Sequence, residues 1–81
     1  MKLTDKSREI FEYVKAHGKV SVDEMVKKFG RSSRSIGANV LDLRKKGLAN
    51  RSTETIEGNE KPVIYVELTD EGKVFVESDE E

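Results

Sequence analysis

Apolar residues return along this chain at two periods. In the amino-terminal part the spacing is three and four. Ile10, Phe11 and Val14, with Leu3 or Ser7 one turn earlier and Tyr13 on the flank, form one set; Val22, Met25, Val26 and Phe29 form a second; Ile36, Val40 and Leu43 form a third. Each set falls within one stripe of a 3.6-residue helix, which predicts three amphipathic helices, over about 4–16, from Ser21 to Gly30, and over about 33–46. Further on the period drops to two. Val63 to Leu68, VIYVEL, is the clearest strand in the chain and points Ile64, Val66 and Leu68 at the core, while 51–56 is rich enough in strand formers to pair with it.

The ends of these elements are written in the residues beside them. Thr4 is an N-cap for the first helix, with Asp5 in the turn where the helix dipole favours an anion and His17-Gly18 at the close. Ser21-Val22-Asp23-Glu24 is a capping box, in which the serine oxygen takes the Glu24 N–H and that carboxylate reaches back to the N–H of Ser21. Ser32 or Ser33 caps the third helix, and Gly47 supplies the left-handed residue that ends it. Lys19 to Val22 is short and β-branched and predicts a brief strand ahead of the second helix.

Gly58-Asn59 marks the bend between the two later strands, and Pro62, which cannot donate to a ladder, belongs at a strand start. A two-residue turn there would set Glu57 opposite Glu60, so a longer tip is expected. Thr69 caps a short last helix that Gly72 weakens. Val74, Phe75 and Val76 are too apolar for a free tail, so they either pack under the first helix or form the seam of a homodimer. The fold class that emerges is α+β: three helices around one core, a β-hairpin and a short carboxy-terminal helix, in one domain over 1–77, with 78–81 as a disordered acidic tail.

At 81 residues the chain buries only about 60–65% of its extended surface and has no room for a cleft between lobes. It has no cysteine, which excludes disulfides and thiolate chemistry, and one histidine, His17, which stands beside a helix-ending glycine with no second ligand at metal spacing. No metal or cofactor is expected. No phosphate-binding glycine loop or nucleophile–base pair is present, so an enzyme is the poorest reading. No apolar run nears the ~18 residues of a membrane span and no signal-peptide core is seen, so the expectation is a soluble, cytoplasmic protein without a membrane partner.

The net charge of −1 conceals a division. Residues 1–50 carry twelve Lys and Arg against six acids, a net of +6, whereas 51–81 carry three against ten, a net of −7. Residues 27–46 alone hold seven bases and one acid. Charges more than about 8 Å apart are screened at physiological salt, so the local patch governs attraction to a polyanion better than the total does. That patch lies on two helices joined by a turn of about three residues, a helix-turn-helix. With Ile36 at the centre of the buried stripe, steps of 100° put Arg34, Ser35, Ala38, Asp42 and Lys45 on the far side, with Asn39 and Lys46 on one shoulder. A polar face without bulk, basic near both ends, suits a helix that enters the major groove of double-stranded DNA. A solvated amphipathic helix would show much the same pattern.

The run HGKVSVDEMVKKFG followed by SSRSIGANVLDLRKKGLANR resembles the winged helix-turn-helix of bacterial and archaeal transcription regulators of the DeoR, ArsR and MarR types. LDLRKKGL is similar to the exit of the family's recognition helix into the first wing strand, and YVELTDEGK to the close of the second wing strand and the start of a last helix. The resemblance implies a DNA-binding regulator whose recognition helix spans about 33–46. Its contacts would come from Lys27, Lys28 and Arg31 before that helix, from Ser32, Ser33, Arg34, Ser35, Ala38, Asn39, Asp42, Lys45 and Lys46 along it, and from Arg51 and Lys61 on the wing. It also favours dimers.

Three positions depart from that pattern: Arg31 occupies a turn position that is commonly apolar, Ala38 replaces a longer polar residue, and Asp42 brings a negative charge toward phosphates. Glu54, Glu57 and Glu60 outnumber Arg51 and Lys61 between 51 and 61, so the wing tip should point away from DNA. The alternative function is a winged-helix interaction module that binds protein through this acidic wing and the carboxy-terminal segment.

Overall fold

The structure, a computed structural model, describes residues 2–76; the acidic tail expected over 78–81 lies outside the described residues. The element order is α1 (Asp5–His17), β1 (Lys19–Ser21), α2 (Val22–Phe29), α3 (Ser33–Lys45), β2 (Ala49–Glu54), β3 (Val63–Leu68) and α4 (Asp70–Val74). This is a winged helix-turn-helix, with α2 and α3 as the helix-turn-helix and the β2–β3 hairpin as the wing. β1 adds a third strand, in the sheet order β1-β3-β2 with both pairings antiparallel.

The caps form as the sequence predicts. Thr4, Ser21, Ser32 and Thr69 accept from the N–H groups of Ser7, Glu24, Ser35 and Gly72 respectively. The capping box is only half made: the Glu24 carboxylate accepts from the Tyr13 hydroxyl at 2.5 Å, so it braces α2 against α1 instead of reaching back to Ser21. β2 starts two residues before the expected position, because Leu48 N–H bonds to Leu43 C=O at 2.9 Å past Gly47, with φ +77°, and the chain leaves the helix already aligned for pairing.

One core lies between the helices and the inner face of the sheet. Ile10, Val14, Met25, Ile36, Leu43 and Val66 are completely inaccessible within it, Leu68 is buried, and Ile64 packs at its edge. The carboxy-terminal apolar trio divides: Phe75 packs edge-on against Phe11 of α1 with ring centroids 5.6 Å apart, while Val74 and Val76 stay exposed.

α4 is pinned where α3 ends. Thr69 N–H bonds to Leu48 C=O at 3.0 Å and its hydroxyl to Gly47 C=O at 2.7 Å. Gly72, read from sequence only as a weak point of the helix, is buried, and a Cβ there would stand 2.0 Å from the Leu48 carbonyl oxygen. The bare backbone is what allows this approach.

Candidate nucleic-acid interface

The Ile36, Val40 and Leu43 stripe packs inward and leaves two different polar sides on α3. On one, Arg34, Ala38, Leu41 and Lys45 are exposed and form a row along the helix, with Ser33 at its start and Arg44 exposed on the neighbouring shoulder. Neither Arg34 nor Lys45 has an ion-pair partner among the described residues. On the other, Ser35, Asn39, Asp42 and Lys46 are half-buried, and Asn39 and Asp42 bond to Ser7 of α1.

That second side differs from the sequence expectation, which placed Ser35 and Asp42 with Arg34 and Lys45. Steps of 100° set Ser35 and Asp42 about 100° and 120° from Ile36, on the Asn39 side, and polar contacts to α1 and to the turn hold them there. Ser7 Oγ donates to Asp42 Oδ2 at 3.0 Å, and Asn39 Nδ2 donates to Ser7 Oγ at 3.4 Å. Lys46 Nζ donates to Asp42 Oδ1 at 2.7 Å, and this bond, reinforced by the one from Ser7, holds the Asp42 carboxyl below the ordinary aspartate range. The lone acid of the basic stretch is therefore neutralised by its own helix and turned off the exposed row.

Arg31 is also drawn inward. Its Nε and Nη2 donate to Ser35 Oγ at 3.2 and 2.9 Å, Nη2 donates as well to Asn39 Oδ1, and Nη1 lies 3.9 Å from Glu9 Oε2 on α1. The side chain is 15% exposed.

The remaining cations are outside. Lys27 and Lys28, in the last turn of α2, are exposed, as are Ser32 and Ser33 at the start of α3. Lys27, Lys28, Ser32, Ser33, Arg34, Ala38 and Lys45 are thus all exposed on the helix-turn-helix. Two further exposed residues of α3, Leu41 and Arg44, were not among those expected from sequence; their angular positions, about 140° and 80° from Ile36, were the available signal.

On the wing, Arg51 and Lys61 are both exposed. Glu54 meets Lys19 of β1 at 3.0 Å across β3, and that contact holds the Lys19 ammonium above its ordinary range. The tip turns at Ile56 to Asn59, where Asn59 N–H bonds to Ile56 C=O at 3.0 Å and Gly58 takes φ +93°. Gly58 to Val63 and Asp23 line a shared open cavity, so the acidic tip lies beside the acidic first turn of α2. α2 thus carries its acids at the end near the tip and its lysines at the end that enters α3.

No family model and no curated protein matches the chain. Among solved structures, its fold is similar to that of the transcriptional regulator homologue protein from Pyrococcus horikoshii OT3, with a TM-score of 0.70 and 18% sequence identity over 83% of this chain. This chain spans 64% of the length of that one. At this identity the likeness is one of fold.

Proposed function

We propose that this chain binds double-stranded DNA by laying α3 in the major groove, and that it serves as a transcriptional regulator. Arg34, Ala38, Leu41 and Lys45 face the base edges in this arrangement, and Lys27, Lys28, Ser32, Ser33 and Arg44 meet phosphates. One observation carries the reading: the outer row of α3 is exposed, cationic at both ends and small at Ala38, while Asp42 is turned aside and neutralised. A helix of this kind fits a groove about 12 Å wide, and short side chains let its backbone come close. The fold shared with a transcriptional regulator homologue agrees with this role. Arg51 and Lys61 are the wing's own phosphate contacts, because the carboxylates at its tip are repelled by the duplex.

An amide-shift titration with duplex DNA at several salt concentrations tests the proposal. Shifts should concentrate on the end of α2 and the outer row of α3. The log–log salt slope should be about −0.9 for each neutralised phosphate, with roughly four to six of them per chain. Arg34→Ala should cost about 1–3 kcal/mol on a preferred sequence, whereas Lys27→Ala should weaken all sequences alike. Shifts confined to the wing, or none at all, would turn the reading toward an acidic-wing module that binds protein.

A further inference from the structure

The geometry assigns Arg31 a positioning role: from the turn of the helix-turn-helix, its guanidinium fixes the rotation of α3 about its own axis and so selects which side chains a duplex meets. The inference rests on the DNA-binding reading and adds to it a cation that works without touching nucleic acid.

Arg31 stands just before the N-cap of α3, and its hydrogen-bond partners on that helix, Ser35 and Asn39, lie four and eight residues on, along one side. That side continues into Asp42 and Lys46. The row is closed at its start by Arg31, at its end by the Lys46–Asp42 pair, and at its middle by Ser7 of α1, which accepts from Asn39 and donates to Asp42.

The Ile36, Val40 and Leu43 stripe presses α3 onto the core, but burial of apolar surface has little directional preference. The stripe fixes which side of α3 faces the core, and because hydrogen bonds weaken steeply when misaligned, the polar row narrows the angle further. Turning α3 until Ser35 and Asp42 joined the exposed row would break the bonds of Ser7 to Asp42 and Asn39 and draw Arg31, which is tied to Ser35 and Asn39, away from Glu9 of α1, and polar networks of this kind lose most when half satisfied.

The same geometry removes Arg31 from the phosphate-binding cations. Its Nε and Nη2 are engaged within the fold, and Nη1 is buried without a hydrogen-bond partner, 3.9 Å from Glu9. No nitrogen of this side chain is left to present to a duplex. Lys27, Lys28, Arg34 and Lys45, by contrast, are exposed.

The test compares Arg31→Met, which keeps length and removes the donors, with Arg31→Lys and with Lys27→Ala as a phosphate-contact control. Duplex affinity is followed by fluorescence anisotropy against salt, at a temperature where circular dichroism shows every variant fully folded. Arg31→Met should weaken binding roughly three- to thirtyfold with an unchanged salt slope. Arg31→Lys should not rescue it, since an ammonium lacks the planar fork that spans Ser35 and Asn39. Lys27→Ala should instead lower the slope by about 0.9.

A slope that falls by the same amount in Arg31→Met would make Arg31 a phosphate contact, and unchanged affinity in that folded variant would remove any positioning role. If the wild-type chain binds no duplex, the DNA reading fails by itself. Residual dipolar couplings of the free proteins then decide this inference: α3 rotated relative to α1 in Arg31→Met upholds it, and identical couplings overturn it.

Discussion

Ser7 Oγ, completely buried on α1, donates to Asp42 Oδ2 on α3 at 3.0 Å, and it is the one polar side chain among the described buried residues. Ser7→Ala should therefore be destabilising although alanine is the better helix former by a few tenths of a kcal/mol. The substitution leaves Asp42 Oδ2 and Asn39 Nδ2 each short of a partner in a part-buried seam, which should cost about 1–3 kcal/mol. Urea unfolding at neutral pH measures the balance, and a stabilised Ser7→Ala protein would mean that the seam contributes nothing.

Asp42 makes that seam pH-dependent. The bond from Lys46, then the one from Ser7, lower its pKa in the folded chain, against the opposing effect of burial. As pH falls, the unfolded chain therefore takes up this proton before the folded one does. The stabilisation is complete above the ordinary aspartate value and is lost as pH falls through the lower folded value. Asp42→Asn should be less stable than the wild type at neutral pH, and the gap should narrow as pH falls through and below the ordinary aspartate value. Unfolding curves for both proteins across that range check the sign; a gap that widens on acidification contradicts it.

Gly72→Ala should destabilise by about 1–3 kcal/mol or more, despite the helical gain alanine would bring at an open site. Its Cβ would meet the Leu48 carbonyl oxygen at 2.0 Å, and that oxygen belongs to backbone fixed by its bond to Thr69, so α4 must move. Movement of α4 also pulls Phe75 from Phe11. A lowered melting temperature, with chemical-shift changes at Phe11, is the expected result.

Gly72 also illustrates how far the sequence is legible. Caps and stripes are local, so Thr4, Ser21, Ser32, Thr69 and the Ile36, Val40, Leu43 series could be read directly. The register of β3 against β2 follows from alternation in VIYVEL, which would be lost by a slip of one residue. The close approach at Gly72 depends on where Leu48 arrives, and no local pattern encodes that.

The polar seam between α3 and α1 was hidden for a similar reason. Its determinants are a contact between residues 7 and 42 and the inward turn of Arg31, and an arginine in a turn reads more readily as a surface cation. Two signs were nevertheless present: Ser7 interrupts the apolar stripe of α1, and Ser35, Asn39, Asp42 and Lys46 form a polar stripe of their own. A polar residue inside an apolar stripe calls for a partner, and that second stripe holds the candidates.

Leu41 is the residue whose exposure most changes the picture of the outer row. It is 45% exposed, beside Ala38 and between the ends marked by Arg34 and Lys45. A single leucine on a surface is ordinary, but on a helix in the major groove it has a specific counterpart, the C5-methyl group of thymine. If α3 reads DNA with this row, wild-type binding should weaken several-fold when dT is replaced throughout a duplex by dU, which removes that methyl group and keeps every hydrogen-bonding atom. Leu41→Ala should bind the dT duplex more weakly and no longer distinguish the two. Its stability should change by no more than about 1 kcal/mol, since much of the side chain is already in water. Anisotropy titrations of both proteins against both duplexes complete the cycle. Equal affinity of the wild type for dT and dU, or discrimination that survives in Leu41→Ala, would remove Leu41 from the reading surface and leave base recognition to Arg34, Ala38 and Lys45.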